Sequence, residues 1–202
     1  MKGNPTGMLM FQLRKMFKAI NTLLENLDDG GFKIVFKKED VFKLSESTLK
    51  FKDTHAGRLD MNQANNSIFV HFLKFQEAVQ RLPNRNATDL RILVRDYKKA
   101  DHKRSLGEES CVCDFLGFAC VAVFSVETPL HWWKHKSHFA HALGHTLGAV
   151  KHDDDNYEAN KVLIMMKNVG LNASLWSPHT KLGINSQDHS CLRERHEKRK
   201  GF

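Results

Sequence analysis

No apolar run in these 202 residues approaches the length a bilayer crossing needs, which excludes a membrane-spanning helix. The opening stretch, MKGNPTGMLMFQLRK, lacks the uninterrupted apolar segment of a secretory leader. An exported protein with this start has lost its leader or is a fragment. Cysteine is scarce. The four present, Cys111, Cys113, Cys120 and Cys191, are too few for a disulfide scaffold, and none shows the CxxC spacing of a structural zinc site. They leave open one long-range bridge in a secreted domain, or free thiols in a reducing compartment. Internal repeats and low-complexity segments are absent, which excludes solenoid architectures. The formal charge is +8, densest in RERHEKRKGF (193–202). No stacking aromatics interleave with that run and no nucleic-acid module motif occurs, so nucleic acid is not an expected partner. The run reads as a solvated basic tail, with anionic glycans as the surface it would contact.

What is present fits one α/β domain over residues 1–202. A hydrophobic share of 41% and a charged share of 27% are those of an ordinary globular chain. Leu13, Met16, Phe17, Ile20, Leu23, Leu24 and Leu27 recur at helical spacing, predicting a helix over 7–27 that DDGG stops. FKIVFKKEDVF (32–42) alternates apolar and polar residues as a strand does. Ser67 caps a second helix that Pro83 closes. DLRILVRDY (89–97) and GFACVAVFSVE (117–127) read as buried strands, and a third helix is predicted over 137–147. Beyond it come the apolar knot VLIMM (162–166) and a final helix near 186–195, in an otherwise irregular C-terminal part. Three sequons, at Asn65, Asn86 and Asn172, fit a secreted glycoprotein.

Chemistry concentrates in HALGHTLGAVKHDDD (141–155). Residues four apart share a helix face, so His141 and His145 can hold one metal ion. Gly148 permits a sharp turn, after which His152 can supply a third imidazole. Three neutral imidazoles leave a fourth zinc position open, which is the pattern of catalytic rather than structural zinc.

This stretch resembles the zinc helix of metzincin proteases, and the pair His152–Asp153 resembles the reprolysin or ADAM branch. The wording GHTLGAV and the segment GRLDMN are nearest the secreted arthropod members, such as those of tick saliva. The order of helices and strands is similar along nearly the whole chain. The resemblance implies a mixed, twisted sheet with helices, a long zinc helix and an irregular C-terminal subdomain. It further implies Zn²⁺ as cofactor, Met165 as the Met-turn residue (Met166 being the other candidate), a Cys120–Cys191 disulfide, and secreted cleavage of proteins or peptides. Cys111 and Cys113 are left as extra thiols.

Three departures qualify those expectations. Ala142 stands where the motif has its general-base glutamate, and a methyl group cannot take a proton. One residue too many lies between Gly148 and His152, which places Lys151 at the ligand position unless a bulge absorbs it. The family's first strand is expected to be missing, since only a handful of residues precede the first helix. The expected function is thus an impaired zinc metalloendopeptidase. The alternatives are an inactive pseudoprotease acting as a secreted binding protein, or a basic glycan-binding module. Nearby, His131, His135 and His138 read as surface residues, with His138 on the zinc-helix face as a substitute ligand. Trp132 and Trp133 read as packing anchors, Met165 by periodicity alone as core, and Asp154 and Asp155 as a solvated acidic loop.

Overall fold

The first helix, α1 (Gly7–Leu24), buries Met10, Leu13, Met16, Phe17, Ile20, Leu23 and Leu24, and leaves Arg14, Lys15 and Lys18 in solvent. That division follows from apolar residues three and four apart sharing one face. A computed structural model of the protein describes residues 7–27, 32–35, 68–80, 90–96, 105–113, 120–126, 132–153 and 162–192. Of the strand expected over 32–42, only 32–35 fall among them. They are not assigned to a strand, and Phe32 and Ile34 are half-buried while Lys33 and Val35 are exposed. Asn21 fastens this segment to α1: its Oδ1 accepts from the Ile34 N–H at 2.8 Å and its Nδ2 donates to the Ile34 carbonyl at 3.0 Å. Asn65, Asn86, His131, Asp154, Asp155 and the basic tail lie outside the described residues.

Three strands form a small mixed sheet in the order β1–β3–β2. β1 (Leu90–Asp96) runs parallel to β3 (Cys120–Val126), from Leu90 opposite Cys120 to Asp96 opposite Val126. β2 (Ser105–Gly107) is antiparallel to β3, with Ser105 opposite Phe124. Every residue of β3 is buried, the expected state of a central strand covered on both faces. Because side chains alternate, Cys120, Ala122, Phe124 and Val126 enter one core cluster while Val121 and Val123 enter another with Phe75 and Val79. The latter pair comes from α2 (Ile68–Gln80).

The larger cluster lies between the sheet, α1 and α3 (Trp132–Thr146). Phe124 stacks on Phe139 of α3 with ring centroids 3.5 Å apart. β2 lies against the same helix. A Cβ at Gly107 would overlap the carbonyl oxygen of Ala142, and Ser105 Oγ donates to the His138 carbonyl at 2.7 Å. α3 begins five residues before its predicted start of 137, so Trp132 and Trp133 are helical. Trp132 packs on the core, and Trp133, half-exposed, meets its ring edge-to-face at 6.0 Å between centroids.

The C-terminal helices and the disulfide pairing differ from expectation. Residues 190–192, within the span expected near 186–195, are helical, residues 193–195 lie outside the described residues, and a helix not foreseen, α4, spans Pro178–Asn185. Ser177 is its N-cap, accepting from the Thr180 N–H at 3.0 Å, and Pro178 opens the first turn, where its missing N–H costs nothing. The Cys120–Cys191 disulfide is not formed. Cys111 pairs with Cys120 at a Cα separation of 5.1 Å, and Cys113 pairs with Cys191 at 5.6 Å. The cause is local. Glu108 N–H bonds the Val121 carbonyl at 3.0 Å, which continues the β2–β3 pairing and brings residue 111 beside the start of β3. Among the described residues, no helix is long and apolar enough to cross a membrane.

Candidate metal centre

α3 places His141 and His145 one turn apart, both 9% exposed. His141 Nδ1 lies 2.8 Å from the Ile164 carbonyl oxygen and His145 Nδ1 lies 2.7 Å from that of Ala149. A carbonyl oxygen only accepts, so each Nδ1 carries a proton, and in the neutral ring each Nε2 presents a lone pair. These two Nε2 atoms face each other at 3.2 Å. Two nitrogens held at about 2.0–2.1 Å by one tetrahedral zinc stand about 3.3 Å apart. Without a cation, two lone pairs at this distance repel.

The third imidazole arrives through a turn. α3 ends in a Schellman motif: Ala149 N–H bonds the Gly144 carbonyl at 2.9 Å and Gly148 N–H bonds that of His145 at 3.1 Å, with Gly148 at φ 111°. Glycine alone holds that φ without strain, and its bare Cα also lets the Gln187 side chain lie against it. Val150 N–H then bonds the Gly148 carbonyl at 2.9 Å, a three-residue turn centred on Ala149. This tight turn takes up the extra residue. Lys151 is exposed, and His152 faces the other two imidazoles instead. The ring centroids are 4.8 Å (His141–His145), 5.1 Å (His141–His152) and 4.9 Å (His145–His152) apart, a nearly equilateral triangle. One ligand atom from each histidine lies within 4.8 Å of the others, so the group can bind a metal ion.

Supporting contacts come from the C-terminal part. Asp153 N–H bonds the Met165 carbonyl at 2.9 Å, and Ile164 N–H bonds that of Leu175 at 2.8 Å. The Asp153 carboxylate, itself buried, accepts from Ser177 Oγ at 2.5 Å and from Thr180 Oγ1 at 3.2 Å, which ties the segment after His152 to the start of α4. Met165 is fully buried. A Cβ on Gly144 would meet its Sδ at 2.5 Å and Trp176 at 2.9 Å, so the thioether lies against the helix between the two ligands. Trp176 Nε1 donates to the Leu23 carbonyl at 2.7 Å and joins this region to α1.

Burial drives the His141 pKa down to about 3, with the neighbouring imidazoles adding to the fall against the opposing bond to Ile164. His141 is therefore neutral, the form a metal requires, throughout the physiological range.

Ala142 is fully buried and offers no proton acceptor. His138 is half-buried and outside the three-histidine group, although its charge would depress His141. His135 is not a surface residue but is wholly buried. Asn172 is exposed in a turn. The carbonyls of Ala149 and Ile164 were missed from sequence, because backbone oxygens leave no residue-type signal. Ser177 and Thr180 left one, as the Ser-Pro start of α4. No protein-family model matches this chain, and no curated protein matches it.

Proposed function

We propose that this chain is a secreted zinc-binding domain of the metzincin, reprolysin-like type, in which peptide-bond hydrolysis is crippled by the loss of its proton acceptor. The observation that carries the reading is the triangle of imidazoles, two of them locked by backbone carbonyls into the tautomer that aims Nε2 inward. The donor set fits zinc: three imidazole nitrogens, one open side at the exposed His152, and backbone carbonyls holding two of the rings. The turn, the His152–Asp153 pair and a buried methionine against the zinc helix agree with the family resemblance. Two disulfides suit an oxidising, extracellular setting.

When bound, zinc supplies Lewis acidity that polarises a carbonyl and acidifies water to a pKa of about 7. His141, His145 and His152 would hold it. Ala142, next to His141 in the chain, cannot accept a proton, and loss of a general base costs about 10² to 10⁴ in rate. One observation favours a second reading, a protein that binds peptides without cutting them: the methyl group of Ala142. Zinc-dependent, chelator-sensitive cleavage of a peptide library by the wild type and Ala142→Glu tests the proposal. The wild type should bind zinc and cleave near background, and Ala142→Glu should gain about 10² to 10⁴. A robustly active wild type contradicts the crippling. A folded, zinc-loaded Ala142→Glu with no activity contradicts the peptidase ancestry.

A further inference from the structure

The C-terminal end of α3 carries His145, and its last carbonyls need partners from beyond the helix. Two partners come from the segment that follows β2. Ser110 N–H donates to the His145 carbonyl at 2.9 Å and Val112 N–H donates to the Thr146 carbonyl at 3.2 Å. These donors alternate with Cys111 and Cys113, each tied off by a disulfide, to Cys120 and Cys191 respectively. Ser110 and Cys113 have φ of 49° and 69°, a region that L side chains hold only where the surroundings impose it. Residues 110–113 therefore form a clip: two amides close the helix end that bears a metal ligand, and two bridges pin the amides.

The bridges differ in access and in reach. Cys111 and Cys120 are buried, whereas Cys113 and Cys191 are half-buried. Cys111–Cys120 spans 9 residues of sequence and Cys113–Cys191 spans 78. The longer loop contains α3, all three histidines, Met165 and α4. Its closure restrains the metal centre as a whole, and its two cysteines are the more exposed pair.

Resting on the zinc reading above, we infer that Cys113–Cys191 is a redox gate on metal affinity. A dithiol reductant gives up two electrons and two protons. Its own sulfurs join, the Cys113–Cys191 bond breaks, and each cysteine leaves as a thiol. The outer end of the clip is then free, the Ser110 and Val112 amides withdraw from the helix end, and His145 is less firmly held. An oxidising setting keeps the site tight, and a reducing one releases the ion. By linkage, bound metal makes the same bridge harder to reduce.

The test is zinc affinity, measured by competition with a chromogenic chelator, for the oxidised wild type and for Cys113→Ser/Cys191→Ser, with no reductant present to bind the metal itself. Val112→Pro, which removes one amide donor and leaves both bridges intact, is the companion variant. Both should bind zinc about 10- to 100-fold more weakly, as when a supporting partner of a ligand is lost. Hydrogen exchange at the Ser110 amide should quicken in both while the β3 amides stay protected. Equal affinity in all three proteins overturns the gate. If the double serine variant does not fold, unchanged affinity in Val112→Pro overturns it alone. An oxidised wild type that binds no zinc contradicts the metal reading itself.

Discussion

Gly144 lies between the two helix-borne histidines, where a methyl group would collide with the Met165 sulfur and the Trp176 ring. Both neighbours are buried side chains in a dense core, so Gly144→Ala should destabilise the protein by about 1–3 kcal/mol, as overpacking does. Denaturant unfolding checks this, and an unchanged midpoint would mean that Met165 and Trp176 yield freely. His145→Ala removes a ligand outright and should abolish zinc retention through dialysis, read by elemental analysis. At this scale the sequence was legible where residue type carries the chemistry. His141, His145 and His152 are legible from type and spacing, whereas Met165 reads by periodicity only as core and owes its expected place to the family resemblance. The carbonyls of Ala149 and Ile164 are not legible, since any residue supplies one. His135 was misread as exposed because a polar side chain on a helix defaults to the solvent face until packing is known.

Among the elements, the end of α3 decides whether the third histidine reaches the site. The turn over 148–150 already uses the additional residue, so shortening the segment to the family's spacing should do harm rather than repair. Deleting Val150 puts Lys151 at the position that closes the turn and moves His152 one position back. Zinc affinity should then fall about 10- to 100-fold, the usual effect of losing the support behind a ligand; a gain on chelator competition would show that the turn strains the site. Long periodic elements such as α1 and β3 could be read from sequence, since many residues vote for one period. β2 could not, because three residues carry no period and its register depends on β3. α4 could not be read by period either, because its eight residues carry few apolar positions and only the Ser177–Pro178 start signals it.

For the molecule as a whole, the Cys113–Cys191 bridge ties the irregular C-terminal part to the segment after β2, and Cys111–Cys120 fastens that segment to β3. Peptide mapping without reduction should recover Cys111 joined to Cys120 and Cys113 joined to Cys191. The family pattern misled here because the β2–β3 pairing, not chain order, selects which sulfurs meet. Acid should weaken the metal-free fold. His141 titrates at about 3 when folded and near its ordinary 6.5 when unfolded, so the unfolded chain takes up the proton first. Stability is therefore unaffected above pH 6.5 and falls as pH drops from there toward 3, by about 3 kcal/mol at pH 4. The fall should be smaller in His141→Gln by urea unfolding; an equal fall would place the acid sensitivity elsewhere. The central claim, a zinc ion held by three imidazoles, is tested most directly by X-ray absorption at the zinc edge of the purified, dialysed protein. Stoichiometric zinc with three nitrogen neighbours and one oxygen at about 2.0–2.1 Å is the predicted result. Absence of zinc, or a first shell containing sulfur at about 2.3 Å, would contradict it.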